Sequence, residues 1–333
     1  MPPAPRPPPP APGPLPGSRR DGRGGGARRR SRRRRRRRRR VSWFVLANPE
    51  AGRGVGVAAA RRALVERRIP HEFVVCASAA ELRERVVDAV GAGVERFVAV
   101  GGDGTANLVV DALLGARPWS SPPTLAILPT GSGSDFVRTF GLPRSPAAAA
   151  AHLETDDHYR VDVGVVEGPF GRRHFLNALN AGVGARAAAV AARLPSRLGG
   201  LRYAVGFWLA LPGFPPAEIE VVADGRRHRG EVLDVVVANG QFFGGGMNVA
   251  PRASLEDGRF DVQVFAGPRR RAFSIMPRVV RGHHLSLRGV RRFVAAEVEL
   301  RVPASWPIEA DGELLGRGPV RVGILPAALD FKI

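Results

Sequence analysis

Apolar and polar positions follow one rhythm in the first part of the chain and another in the second. Between residues 41 and 150 short apolar runs alternate with helical patterns. Residues 43–47 (WFVLA), 71–76 (HEFVVC), 96–100 (RFVAV) and 124–128 read as strands. Residues 57–68, 79–90 and a stretch from the 101–105 turn through Leu114 read as helices, with Leu82, Val86, Val87 and Val90 on one apolar face. Strands alternating with helices predict βαβ units on a parallel sheet, in which ligands bind outside the carboxyl ends of the strands. From about Tyr159 the texture changes. Segments 161–166, 174–180, 218–222, 231–238, 259–265, 295–302 and 319–324 read as β, interrupted by helical patterns at 184–193, 199–211 and 269–280. Many strands with turn signals between them predict a mainly antiparallel, sandwich-like second domain. The expected organisation is a tail over 1–40, an α/β domain over 41–157 and a β-rich domain over 158–333, with a cleft between the last two.

Three glycine-rich turns lie at strand carboxyl ends. The first, Asn48-Pro49-Glu50-Ala51-Gly52-Arg53-Gly54, joins a strand to a helix whose start offers unpaired N–H groups and a positive dipole end. The second, Gly101-Gly102-Asp103-Gly104-Thr105-Ala106-Asn107, sets a carboxylate between glycines, with Thr105 expected as the helix N-cap. An acid held against close-approaching backbone suits Mg²⁺ and phosphate together, because Mg²⁺ favours one or two carboxylates plus phosphate oxygens and water. The third, Pro129-Thr130-Gly131-Ser132-Gly133-Ser134-Asp135, repeats small and hydroxyl residues before a helix that opens with an acid. No G-x-x-x-x-G-K-[ST] phosphate loop occurs.

In this order, NPEAGRG, GGDGTAN and PTGSGSDFVR resemble the diacylglycerol kinase catalytic-domain family, the bacterial lipid kinases related to sphingosine kinases. Later segments match too, among them Val161-Asp162-Val163-Gly164, Ala238-Asn239-Gly240, Leu255-Glu256-Asp257-Gly258 and Glu309-Ala310-Asp311-Gly312-Glu313. The resemblance covers residues 41–333. It implies an α/β nucleotide-binding domain with a parallel sheet, a β-rich lipid-binding domain, and ATP-dependent phosphorylation of a lipid hydroxyl with Mg²⁺. Residues 48–52 (Asn48, Pro49, Glu50, Ala51, Gly52) and 101–107 would hold ATP, with Asp103 at the phosphates and metal and Ser132 in the place of a nucleotide-contacting Thr. Glu313 resembles the general base that takes the proton from the attacking hydroxyl. Asp135, Asp162 and Asp257 resemble acids of a water–magnesium network. A separate structural Mg²⁺ is implied at Asp257, completed by the carbonyls of Ser254 and Arg259. The sequence departs from the family at Ser134, which replaces an Asn, and at Ala51, where a Ser is usual; both bear on nucleotide affinity. Phe207, Trp208, Leu209 and Leu211 read first as core and second as a lipid-pocket lining. Residues 239–246 read as a flexible apolar loop or a bulged hairpin.

Charge then separates the chain into two parts. The net charge over 333 residues is +21, but residues 1–40 hold sixteen arginines against the single acid Asp21, so +15 sits there and +6 on the remainder. That balance excludes a wholly basic nucleic-acid coat and leaves no specific nucleic-acid partner expected. The proline- and arginine-rich leader has too few apolar side chains to offset backbone ordering of roughly 1–2 kcal/mol per residue, and is read as disordered. It is a polybasic arm, a solvated tail, or translation from an upstream start. The last is favoured, since Lys332 is the sole lysine and arginine usage points to GC-rich coding. Cys76 is the only cysteine, which excludes a disulfide framework, and no run of 18 apolar residues occurs. The expectation is a cytoplasmic enzyme, peripheral to the inner face of the membrane, meeting its lipid substrate at an anionic surface. Assembly as a homodimer is left open. The alternatives are a soluble-substrate kinase, such as one acting on a nicotinamide dinucleotide, and a non-catalytic regulator that uses the arginine leader on nucleic acid or membrane.

Overall fold

A computed structural model describes residues 42–48, 54–130 and 135–333. The expected 1–40 tail and the expected nucleotide-binding residues Pro49, Glu50, Ala51, Gly52 and Ser132 therefore lie outside the described residues. The chain runs β1 (Trp43–Ala47), α1 (Val55–Glu66), β2 (His71–Val75), α2 (Ala79–Gly91), β3 (Arg96–Gly101), α3 (Asp103–Ala116), β4 (Thr124–Pro129), α4 (Asp135–Thr139) and α5 (Pro146–Ala149). It continues through β5 (His158–Gly168), β6 (Gly171–Phe175), β7 (Ala178–Gly182), α6 (Val183–Ala191), α7 (Leu201–Ala210), β8 (Ala217–Ala223) and β9 (Arg226–Ala238). The remainder is β10 (Phe242–Phe243), β11 (Met247–Asn248), β12 (Phe260–Ala266), α8 (Ala272–Val279), β13 (Val290–Ala295), β14 (Glu297–Arg301), β15 (Pro307–Ala310), β16 (Glu313–Arg317) and β17 (Val320–Lys332).

β1 pairs in parallel with β2 and β3, and β3 with β4. β1, β3 and β4 are buried on both faces, so their side chains divide by period two between two cores. Phe44, Leu46, Phe97, Ala99 and Leu125 face α2 and α3, which contribute Leu82, Val86 and Leu113. Trp43, Val45, Val98, Val100 and Leu128 face α1 and α5, which contribute Leu64 and Ala149. Val87, expected on the buried face of α2, is 48% exposed, and Ala89 packs in its stead. Ser78 caps α2 by accepting the Glu81 N–H at 3.1 Å.

The second region is antiparallel, with β9 central between β7 and β8 and a third core beneath. It is not a detached sandwich. β17 leaves this region, crosses an irregularity at residues 325–329 and ends in parallel pairing with β4, Asp330 opposite Thr124. Leu329 and Phe331 thereby join the first core, where the Phe331 ring lies 4.9 Å from that of Phe136 and 4.8 Å from that of Phe140. One mixed sheet thus runs through both regions. Among the described residues no helix is long and apolar enough to cross a membrane.

Candidate active site

The turn after β3 is built by close packing. A Cβ on Gly101 would lie 2.2 Å from the Thr105 hydroxyl oxygen and 2.5 Å from the Thr105 Cβ, so the strand enters α3 through a position only glycine fits. Rotating the Thr105 side chain cannot relieve the second contact. Gly101→Ala is therefore expected to cost about 1–3 kcal/mol in urea unfolding. The N-cap of α3 is Gly102 in extended conformation, without a side-chain cap bond, and not Thr105. Asp103 opens the helix, and Thr105 lies inside its first turn, buried against Gly101.

Asp103 reaches across to the start of α4, whose Asp135 and Phe136 N–H groups donate to its two carboxylate oxygens at 2.8 and 3.1 Å. The acid thus occupies the positive end of a second helix and fixes the third turn against the second. Burial pushes its pKa up to about 6, against the lowering effect of those N–H bonds. Asp135 is buried as well, and burial raises its pKa. Its Oδ2 accepts the Gly245 N–H at 2.9 Å, while its Oδ1 is enclosed with no hydrogen-bond partner among the described residues. The Gly245 contact comes from the 239–246 segment, which is a hairpin: β10 pairs with β11. A Cβ on Gly245 would meet the Gly200 carbonyl oxygen at 2.6 Å, and one on Gly246 the Arg138 guanidinium at 2.7 Å.

Beneath these turns opens a cleft of about 560 Å³ that both regions line. Gly102, Asp103, Gly104 and Asp135 form one wall, and Asn177, Asn180, Glu309, Asp311 and Gly312 another. Asp311 is held by three N–H donors, those of Leu176, Asn177 and Ala178, at 2.6, 2.9 and 3.0 Å. Burial, with the Asp103 charge adding to it, raises its pKa to about 6. Glu309 accepts from the Asn180 amide at 2.5 Å and from the Gly312 N–H. Burial moves it up to about 7.

An acid whose folded pKa is raised adds stability below its unfolded pKa and loses it as pH rises through the folded one. Glu309 is therefore expected to weaken the fold between pH about 4.5 and 7. Glu309→Gln should flatten that decline and stabilise the protein at pH 8 by about 2–3 kcal/mol, measured by urea unfolding at pH 5 and 8.

Glu313 opens β16 across the Asp311-Gly312 turn from Glu309. It is 48% exposed at the side chain, and Arg83 approaches its Oε1 at 3.9 Å. Arg83 also faces Asp111 at 4.0 Å. Burial opposes ionisation of Asp111, but hydrogen bonds from the His174 ring and backbone outweigh it and set Asp111 below the ordinary carboxylate range. Asn48 ends β1 with its N–H on the Val100 carbonyl at 3.3 Å, beside the Gly101 turn; Ala106 and Asn107 are buried in α3.

Asp162 and Asp257 line a different, open cavity with Glu256 and Gly258. Asp162 is buried and ties two loops together, accepting the Gly258 N–H at 2.7 Å and the Ala327 N–H at 2.8 Å. Asp257 accepts the Arg259 N–H at 3.1 Å, and the Ser254 hydroxyl accepts the Glu256 N–H at 3.4 Å. Among the described residues no three His, Cys, Asp or Glu side chains gather closely enough to hold an ion by themselves. The structure thus joins Asp103, Asp135, Glu309 and Asp311 in one cleft; it leaves Glu313 outside that lining, beside Arg83, and sets Asp162, Asp257, Ser254 and Arg259 apart.

Sequence reasoning missed Glu309 and Asp311. The available signal was an acid in the apolar strand PIEA followed by Asp-Gly, since a buried unpaired carboxylate is costly enough to ask for a reason.

Residues 42–166 match the diacylglycerol kinase catalytic domain, and residues 177–332 match the YegS C-terminal NAD kinase beta sandwich-like domain. The chain belongs to this lipid kinase family. It is 31% identical to the diacylglycerol kinase of Bacillus subtilis over 67% of this chain and 72% of that protein. It is 32% identical to a Pseudomonas aeruginosa protein named "Probable lipid kinase YegS-like", over 75% of this chain and 80% of the relative. The fold matches a crystal structure of a Bacillus anthracis diacylglycerol kinase with a TM-score of 0.66 at 20% identity, covering 88% of this chain and 96% of the other.

Proposed function

We propose that the chain transfers the γ-phosphate of ATP to a hydroxyl of diacylglycerol, giving phosphatidic acid and ADP, at the cytoplasmic face of a membrane. The observation that carries this reading is the cleft in which Asp103 and Asp135 face Glu309, Asp311 and Gly312, the turn that leads into Glu313. ATP would lie along residues 48–52 and 101–107 with Ser132 in contact, its phosphates against backbone N–H groups at a helix start. The hydroxyl oxygen forms a bond to Pγ as the bond from Pγ to the β-bridging oxygen breaks. The proton passes to the Glu313 carboxylate, and ADP leaves with the bridging oxygen. Of the hairpin acids, Asp311 is fully engaged by backbone donors and Glu309 is tied to Asn180 and Gly312. Glu313 is the one on the solvent side.

The residues present fit Mg²⁺. The Asp135 Oδ1 is buried and has no partner among the described residues, and Asp103 keeps lone pairs beyond its two N–H bonds. When bound there with phosphate and water as its other ligands, the ion supplies charge neutralisation at the phosphates. For a second, structural Mg²⁺ the Asp257 carboxylate and the Ser254 and Arg259 carbonyls are hard oxygen donors of the required kind, with Asp162 fixing the loop that carries them. The test is a panel of diacylglycerol, sphingosine, a prenol and NAD, incubated with the full chain and γ-labelled ATP. Label in phosphatidic acid is expected, and label confined to NADP overturns the reading.

A further inference from the structure

α7 is apolar on two faces. Tyr203, Gly206, Phe207 and Ala210 turn inward, where Tyr203 and Phe207 line a cavity of about 60 Å³ together with Ile275, Met276 and Val279 of α8. The outward face is apolar as well. Leu201, Val205, Trp208 and Leu209 follow the i, i+4, i+7, i+8 spacing of a single helical stripe and are 66, 36, 36 and 60% exposed. Phe273 of α8, 67% exposed, extends the stripe, its ring 5.0 Å from that of Trp208. A helix apolar all round is ordinarily buried, and a contiguous apolar patch on a soluble domain marks a surface that something covers. Phe207, Leu211 and their neighbours met the expectation of core, whereas Trp208 and Leu209 did not.

Charge identifies what covers it. No Asp or Glu occurs from residue 183 to 217 or from 262 to 296, the two stretches that supply the patch and its surroundings. Those stretches carry Arg193 and Arg197 before α7 and Arg202 on it, and Arg269, Arg270 and Arg278 at and on α8. Arg269 donates to the Pro212 carbonyl, which brings the arginine run at the start of α8 to the end of α7. Aromatic and leucine side chains at the centre, arginines on and beside the two helices and no acid on either helix match the interface of an anionic bilayer. A second copy of the chain would bring the same arginines to face one another, which charge disfavours.

We infer that the outer faces of α7 and α8 dock on an anionic lipid bilayer, seating Leu201, Val205, Trp208, Leu209 and Phe273 among the acyl chains. The inner faces of the same helices roof the small apolar cavity, and Asn180, Tyr203 and Phe243 line both that cavity and the acidic cleft. Docking therefore places the membrane against the wall through which a lipid would approach the cleft. The link to catalysis rests on the kinase reading; the docking does not.

The test uses the full chain and its Leu209→Glu/Phe273→Glu variant. Both side chains are mostly exposed, and a preserved thermal transition confirms that the variant folds. Binding to phosphatidylcholine–phosphatidylglycerol vesicles is measured by sedimentation and Trp emission. The variant is expected to bind at least about tenfold more weakly. It should lose turnover of vesicle-borne diacylglycerol in proportion, and keep turnover of a short-chain diacylglycerol dissolved as monomer. Unchanged vesicle affinity overturns the inference, as does a wild-type dimer that the variant dissociates while vesicle binding persists. If neither lipid is turned over yet the variant still loses vesicle binding, the docking stands and the kinase reading falls.

Discussion

Replacing Asp103 by Ala is expected to reduce phosphoryl transfer by about a hundred- to a thousandfold and to destabilise the fold in the same step. The carboxylate does two jobs that the structure ties to one side chain. It accepts the Asp135 and Phe136 N–H groups, so its loss leaves two donors at the start of α4 unpaired, one of them on another acid of the cleft. Unsatisfied buried donors cost about 1–3 kcal/mol each. It is also one of two acids placed to hold the Mg²⁺ that would neutralise charge at the transferred phosphate, where a single electrostatic contribution is worth about two to three orders of magnitude in rate. Asp103→Asn separates the two roles. Its side-chain oxygen can keep one N–H bond, so most of the stability should return while the rate does not. An Asp103→Ala protein with wild-type Mg²⁺ dependence and rate removes Asp103 from the mechanism.

Glu313→Ala is the second large effect, and it should be purely kinetic. The side chain is half exposed and its charged neighbour Arg83 stands 3.9 Å away. Such a surface pair contributes about 0–1 kcal/mol, so the unfolding midpoint should hardly move. Turnover should fall by about 10²–10⁴-fold, the usual contribution of a general base, while nucleotide binding measured by calorimetry persists. Turnover unchanged in this variant would reassign the base to another group of the hairpin.

These two acids differ in how far the sequence alone could place them. Asp103 was legible because its surroundings are local: a strand, a glycine that cannot carry a Cβ, and a helix start, all within seven residues. The alternating half of the fold was legible for a similar reason, since β1, β3 and β4 are continuous apolar runs buried on both faces. Elements set by distant partners were not. The expected strand 319–324 is the first part of β17, which bends past Pro326 and Ala327 and continues to Lys332 because Leu329 and Phe331 find the first core. β15 and β16 went unread because each is short and one carries a buried acid that interrupts the apolar pattern. Glu309 and Asp311 acquire meaning only when β15 pairs with β7, which brings the hairpin to the Asn177 segment. Trp208 and Leu209 show the opposite case. Their composition suggested core, and only the packing of α7 reveals that one apolar face has been left outside.

The meeting of lipid and nucleotide in the acidic cleft is the expectation on which the proposed transfer depends. It is tested most directly by incubating wild type and Asp103→Asn with γ-labelled ATP, Mg²⁺ and diacylglycerol, then counting label in the organic phase. Wild type should place label in phosphatidic acid, and Asp103→Asn, folded by its thermal transition, should leave the organic phase at background. Equal organic-phase label from both proteins, or none from wild type, would contradict it.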